Sequence, residues 1–161
     1  PTHTAILATS AGEITLELYG KATPKTVENF LTLSKDGFYD GTRFHRVIPG
    51  FMIQGGDPLS KDPNAMDRWG TGGPGYTFED EIHKNNKNNK GTIAMANSEP
   101  DTNGSQFFIN TADNNHLDQK HTVFGKVIDG MDTVEKIENV QTEGPDRPVE
   151  NVVIEDIQIV N

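Results

Sequence analysis

The chain has 161 residues, enough for one domain that needs neither a disulfide nor a metal staple to hold its core. It contains no Cys, which excludes disulfides, thiol nucleophiles and thiolate metal sites together. Lys and Arg number 14 against 24 Asp and Glu, and the resulting charge of −10 argues against nonspecific nucleic-acid binding and docking on anionic membranes.

The opening residues, Pro1 to Thr9, lack the basic region and long apolar core of a secretory signal. No apolar run approaches the roughly 20 residues of a membrane helix. A soluble cytoplasmic protein is the resulting expectation. Residues 3–9 and 13–19 read as two strands joined by a turn at Ser10-Ala11-Gly12, with Ile14, Leu16 and Leu18 sharing the buried face of the second. Thr23-Pro24 supplies a helix N-cap and a Pro at the first helical position. Val27, Phe30 and Leu31 follow at helical spacing, and Asp36-Gly37 ends the helix.

Strand patterns resume at 42–47 and 51–54, separated by Pro49-Gly50. The segment 55–80 is dominated by Pro and Gly clusters, and a loop of that length is expected to be functional or mobile. Further strands are expected at 91–97, 106–111, 122–128 and 151–160, with a short helix near 131–138 carrying Met131, Val134 and Ile137 on one side. The last strand changes apolar parity between Val152/Ile154 and Ile157/Ile159, which implies a bulge. The Asn-rich stretch Lys84–Lys90 reads as a solvated loop. With no repeat and no linker, residues 1–161 are expected to form a single domain. About eight strands with two separated helices favour a mainly β architecture, a barrel or sandwich capped by helices.

Several motifs fail on context. Gly70-Thr71-Gly72-Gly73-Pro74-Gly75 fits G-x-G-x-x-G by letter, but no helix follows to receive a pyrophosphate, so it reads as a structural glycine loop. Asn103-Gly104-Ser105 is read as a tight turn rather than a glycosylation site. The five His residues include no i,i+4 pair, and no G-x-S-x-G elbow is present, so neither a metal site nor a serine hydrolase is supported.

Two segments combine hydrogen-bonding and apolar side chains at high density: 44–57 (FHRVIPGFMIQGGD) and 95–109 (MANSEPDTNGSQFFI). Strand alternation puts Phe44, Arg46 and Ile48 on one face, Met52 with Gln54, and Gln106 with Phe108. From pattern alone Arg46 either snorkels to a rim or is placed at a site, and Phe51, Met52, Phe108 and Leu117 are either core or pocket.

These two segments, with GTGG at 70–73, LDQKHTVFGKV at 117–127 and PKTVENF at 24–30, closely resemble the cyclophilin family of peptidyl-prolyl cis–trans isomerases over nearly the whole chain. The resemblance implies a closed eight-stranded antiparallel β-barrel capped by two helices. It implies a catalytic Arg46 and a proline pocket lined by Phe51, Met52, Phe108 and Leu117. Gln54, Ala96, Asn97, Gln106 and His121 match the remaining substrate-contacting positions, and no cofactor is implied. The implied partners are proline-containing peptides and unfolded or flexible protein segments, bound by a monomer. His116 stands where many eukaryotic members carry Trp, a residue that contributes to cyclosporin binding, so the resemblance implies reduced affinity for that drug.

Overall fold

The computed structural model describes residues 3–160. Strands β1 (His3–Thr9) and β2 (Gly12–Leu18) form the expected hairpin, and Ala5, Leu7, Ile14, Leu16 and Leu18 are buried on its inner face. Helix α1 (Pro24–Lys35) follows, then β3 (Arg46–Ile48), β4 (Met52–Gly55), β5 (Thr92–Met95), β6 (Phe107–Asn110) and β7 (Val123–Asp129). Helix α2 (Met131–Glu138), a short hairpin of β8 (Thr142–Glu143) and β9 (Arg147–Pro148), and β10 (Ile154–Val160) complete the chain. No helix among the described residues is long and apolar enough to cross a membrane.

One curled antiparallel sheet of eight strands runs in the order β10-β1-β2-β7-β5-β6-β4-β3. Its seam is not a ladder between β3 and β10. Instead the residues just before β3 reach across: Phe44 N donates to Val152 O, Gly41 N to Ile154 O, and Ile154 N to Thr42 O. The expected bulge lies in β10, where Ala8 pairs with Asp156 and Thr9 with Ile154, leaving Glu155 out of register. Inside the curl, Phe30, Tyr39, Phe44, Phe107 and Phe124 pack edge-on or tilted at 5.4–6.3 Å between centroids. Helix α1 adds Val27 and Leu33 to this core, and α2 adds Val134 and Ile137.

Four sequence readings need correction. Thr23 does not cap α1 with its side chain; its Oγ1 donates to Tyr19 O. Glu81, distant in sequence, accepts from Lys25 N and Thr26 N instead, placing a carboxylate on the positive end of the helix. Phe44 does not share a face with Arg46. Ladder pairing starts only at Arg46, and the seam bonds turn the preceding residues so that Phe44 and Val47 both enter the core. The segment 55–80, expected as one long loop, is not loop throughout: 3₁₀ turns at Pro58–Lys61 and Pro63–Arg68 are capped by the side chains of Asp57 and Asp62.

The Asn-rich stretch is the fourth. Asn86 and Asn88 are buried, because their side chains replace backbone ladder bonds that this irregular segment cannot make. Asn86 Nδ2 donates to Asp118 O and His121 O, and Val123 N donates back to Asn86 Oδ1. Asn88 N donates to Asp118 Oδ1, and Asn110 Nδ2 to Asn88 Oδ1.

Candidate active site

The antiparallel registers Arg46↔Gln54, Ile48↔Met52 and Gln54↔Phe108 bring three strands into one patch. Val47, Ile53, Phe107 and Ile109 point into the barrel core, so their neighbours must point out. On that outer face Met52, Ala94, Phe108 and Val123 form a second buried cluster, separate from the barrel core. Tyr19, Ile48, Phe51, Ala96 and Leu117 pack against it. The four residues that pattern alone left as core or pocket therefore belong to an apolar patch outside the barrel. Arg46 is exposed at its edge.

Loops supply the walls. Leu117 lies in a 3₁₀ turn, Asn115–Leu117, that begins at Asn114. Asn114 Nδ2 donates to Phe51 O at 2.8 Å and to Asn110 Oδ1 at 2.9 Å, tying this turn to the strand that precedes it. His116, exposed on the same turn, stacks on Phe51 with centroids 6.1 Å apart and planes at 21°. His121 meets Phe108 edge-on at 5.2 Å. Its Nδ1 lies 2.8 Å from Met95 O. A carbonyl can only accept, so Nδ1 carries a proton, which in the neutral ring leaves Nε2 its lone pair. Burial pushes the His121 pKa down, with Lys120 and His116 adding to that and the Met95 carbonyl and Asp80 opposing it.

A line of amides separates this patch from a neighbouring groove of about 510 Å³, which Gln54, Ala96, Asn97 and Gln106 also line. Arg46 Nη1 donates to Gln54 Oε1 at 3.3 Å, and Gln54 Nε2 donates to Gln106 Oε1 at 3.0 Å. Asn97 Nδ2 donates to Lys120 O, while its backbone N–H makes no hydrogen bond among the described residues. Arg46 has no carboxylate partner among the described residues, so its charge and most of its donors are uncommitted.

The structure thus brings all eleven residues singled out from the sequence to one surface: Arg46, Gln54, Ala96, Asn97 and Gln106 along its polar line, and Phe51, Met52, Phe108, His116, Leu117 and His121 around the apolar patch. Sequence reasoning missed the supports behind them, chiefly Asn86, Asn88, Asn114 and Asp57. The spacing of Asn86 and Asn88 by two was the available signal, since it puts two amides on one side of an extended segment. Gly70-Thr71-Gly72-Gly73 is, as expected, a loop with no following helix; it forms one wall of the groove.

Comparison with known proteins identifies the architecture. The family model for cyclophilin type peptidyl-prolyl cis-trans isomerase/CLD matches residues 4–159. Peptidyl-prolyl cis-trans isomerase-like 1 of Mus musculus is 50% identical over 149 residues, covering 92% of this chain and 87% of that protein. Peptidyl-prolyl cis-trans isomerase CYP71 of Arabidopsis thaliana is 48% identical over 96% of this chain, which spans only 24% of that longer protein. A crystal structure of a cyclophilin type peptidyl-prolyl cis-trans isomerase from Cryptosporidium parvum superposes with a TM-score of 0.92 at 36% identity, covering 100% of this chain and 99% of that one. A second crystal structure of that protein, in the presence of the dipeptide Ala-Pro, gives 0.89 at 37% identity, covering 98% of this chain and 99% of that one. By family model, relatives and superposition alike, the chain belongs to the cyclophilin-type peptidyl-prolyl cis–trans isomerases.

Proposed function

We propose that this surface accelerates rotation about X–Pro bonds by binding the twisted amide more tightly than the planar one. The observation that carries this reading is the placement of Arg46, held by Gln54 at the edge of an apolar patch, with no carboxylate among the described residues to consume its donors. Rotation faces a barrier of about 18–20 kcal/mol because the amide is conjugated. At the transition state that conjugation is lost, and the prolyl nitrogen becomes a pyramidal acceptor. A guanidinium donor aimed at that nitrogen gains a bond that the ground state barely offers, which is the requirement for catalysis.

In this reading the proline ring rests on Phe51, Met52, Phe108 and Leu117, and His121 closes the patch beside Phe108. The residues before proline run along Gln106 and Asn97 into the groove, where the Asn97 N–H meets a substrate carbonyl. The substrates are peptides and flexible protein segments that expose proline. A rate gain of about 10⁵ requires lowering the barrier by roughly 7 kcal/mol, within reach of one charged donor, one backbone donor and a fixed ring. No nucleophile, proton transfer, metal or cofactor enters this scheme.

NMR exchange spectroscopy on a short X–Pro peptide tests it. Enhanced cis–trans exchange at substoichiometric protein is expected; peptide binding without enhanced exchange would make the chain a proline-binding module instead.

A further inference from the structure

Behind the peptide-contacting residues lies Asp57, fully buried, which follows the Gly55-Gly56 pair at the end of β4. Its carboxylate accepts from Leu59 N at 2.8 Å, Gly70 N at 2.5 Å and Gly72 N at 3.3 Å. The last two bonds fix the backbone of the glycine loop. Gly72 O in turn accepts from Gln106 Nε2 at 2.9 Å. Gln106 leads to Gln54 and Gln54 to Arg46, so one unbroken chain of hydrogen bonds runs from a buried anion to the exposed guanidinium.

The chain has only one polarity. A side-chain amide can be turned either way, and its orientation follows from its neighbours. Here both ends are unambiguous, since a guanidinium can only donate and a backbone carbonyl can only accept. Gln106 must therefore present Nε2 to Gly72 and Oε1 to Gln54, and Gln54 must present Oε1 to Arg46. Turning Gln106 over would set oxygen against oxygen at Gly72 and nitrogen against nitrogen at Gln54.

The orientation of Gly72 is the condition for all of this, and Asp57 sets it. The approach is close: a Cβ on Gly72 would lie 2.2 Å from Asp57 Oδ1 and 2.9 Å from Leu59 Cγ, so no side chain fits there. Oδ2 accepts from both glycine N–H groups and Oδ1 from Leu59 N, so both oxygens are engaged and a carboxamide must turn its NH₂ against one of these donor sets.

We infer that Asp57 is a positioning residue for Arg46, acting through Gly72, Gln106 and Gln54. This rests on the reading of Arg46 as the donor to the prolyl nitrogen. Displacement of a donor by about 1 Å costs up to about 100-fold in rate. Asp57→Asn, which keeps the volume but removes the charge from all three bonds and sets an NH₂ against Leu59 N or the two glycine N–H groups, is expected to lower kcat roughly 10- to 100-fold with KM nearly unchanged.

Asp57 also caps a 3₁₀ turn, so a double-mutant cycle with Arg46→Ala separates positioning from plain structural damage. If Asp57 acts through Arg46, Asp57→Asn lowers kcat/KM in the parent protein but by less than about twofold in the Arg46→Ala background. The Arg46 side-chain ¹⁵N resonance should also move in Asp57→Asn. Equal losses in both backgrounds, or no loss in either, would overturn the inference. Full activity of Arg46→Ala alone would overturn the underlying reading instead, so the two failures are distinct. Should Asp57→Asn not fold, Gln106→Glu replaces it in the same cycle. That change sets a carboxylate against Gly72 O while leaving Asp57 in place, and equal losses in both backgrounds would again contradict the relay.

Discussion

Phe107 and Phe108 are neighbours in β6 and lie on opposite sides of the sheet. Phe107 is buried in the barrel core against Phe30, Tyr39 and Phe44, while Phe108 packs with Met52 and Ala94 outside it. The two-residue period of the strand thus lets one short segment build the barrel core with one side chain and the outer apolar patch with the next.

Phe107→Ala should therefore cost about 3–5 kcal/mol of stability, the usual penalty for emptying an aromatic site in a packed core. Phe108→Ala should cost less stability and raise KM for an X–Pro peptide, since its patch opens to solvent beside Phe51 and Leu117. Urea titration and steady-state kinetics on both variants check this; equal stability losses with unchanged KM for Phe108→Ala would contradict it.

The Asn-rich segment divides by register. Asn88→Ala removes a buried amide that bonds Asp118 and Asn110, leaving their partners unsatisfied, and should cost about 1–3 kcal/mol. Asn85→Ala, at an exposed position, should stay within about 0.5 kcal/mol of the parent. Thermal melts of the two variants make the comparison, and equal melting temperatures would contradict the structural role given to Asn88.

Most of the fold was legible in the sequence, because amphipathic alternation and turn chemistry agree there. Ile14, Leu16 and Leu18 announce a half-buried strand, and Asp36-Gly37 stops α1 just where Gly37 takes a φ of 72°. The candidate site residues could be named only through family resemblance, since Phe108 and Met52 read equally well as core. What could not be read were partnerships across long sequence separations. Glu81 capping α1, Asp57 holding Gly70 and Gly72, and Asn86 holding His121 O each depend on loops whose course no local pattern encodes.

His116 stacks on Phe51 at the rim of the patch, where a larger indole would extend the apolar surface and add an N–H donor. Cyclosporin should inhibit this protein weakly. His116→Trp should tighten inhibition while changing turnover of a short X–Pro peptide much less, because in the proposed binding mode the peptide rests on Phe51, Met52, Phe108 and Leu117. Inhibition constants for both forms decide the matter, and equal, tight inhibition would show that the substitution is silent.

His45 is buried, and its pKa is lowered chiefly by that burial; Arg46 lowers it further, while Asp57 and the Arg43 carbonyl oppose the shift. Burial lowers His121 likewise. Between each lowered value and the unfolded value of about 6.5, the unfolded chain binds more protons than the folded one. Folding stability contributed by these groups is therefore full above about pH 6.5 and falls as pH drops below it. His45→Gln, which cannot titrate, should show a shallower loss of stability than the parent between about pH 7 and 5. Identical slopes in urea titrations across that range would contradict the shift.

Arg46 is proposed to stabilise the twisted amide, and kcat/KM of Arg46→Ala on an X–Pro peptide, with the melting temperature taken on the same sample, tests that role most directly. A loss of about 10²–10³ in kcat/KM with melting unchanged is expected, the scale for removing a transition-state donor. Near-parental turnover in a fully folded Arg46→Ala protein would contradict it.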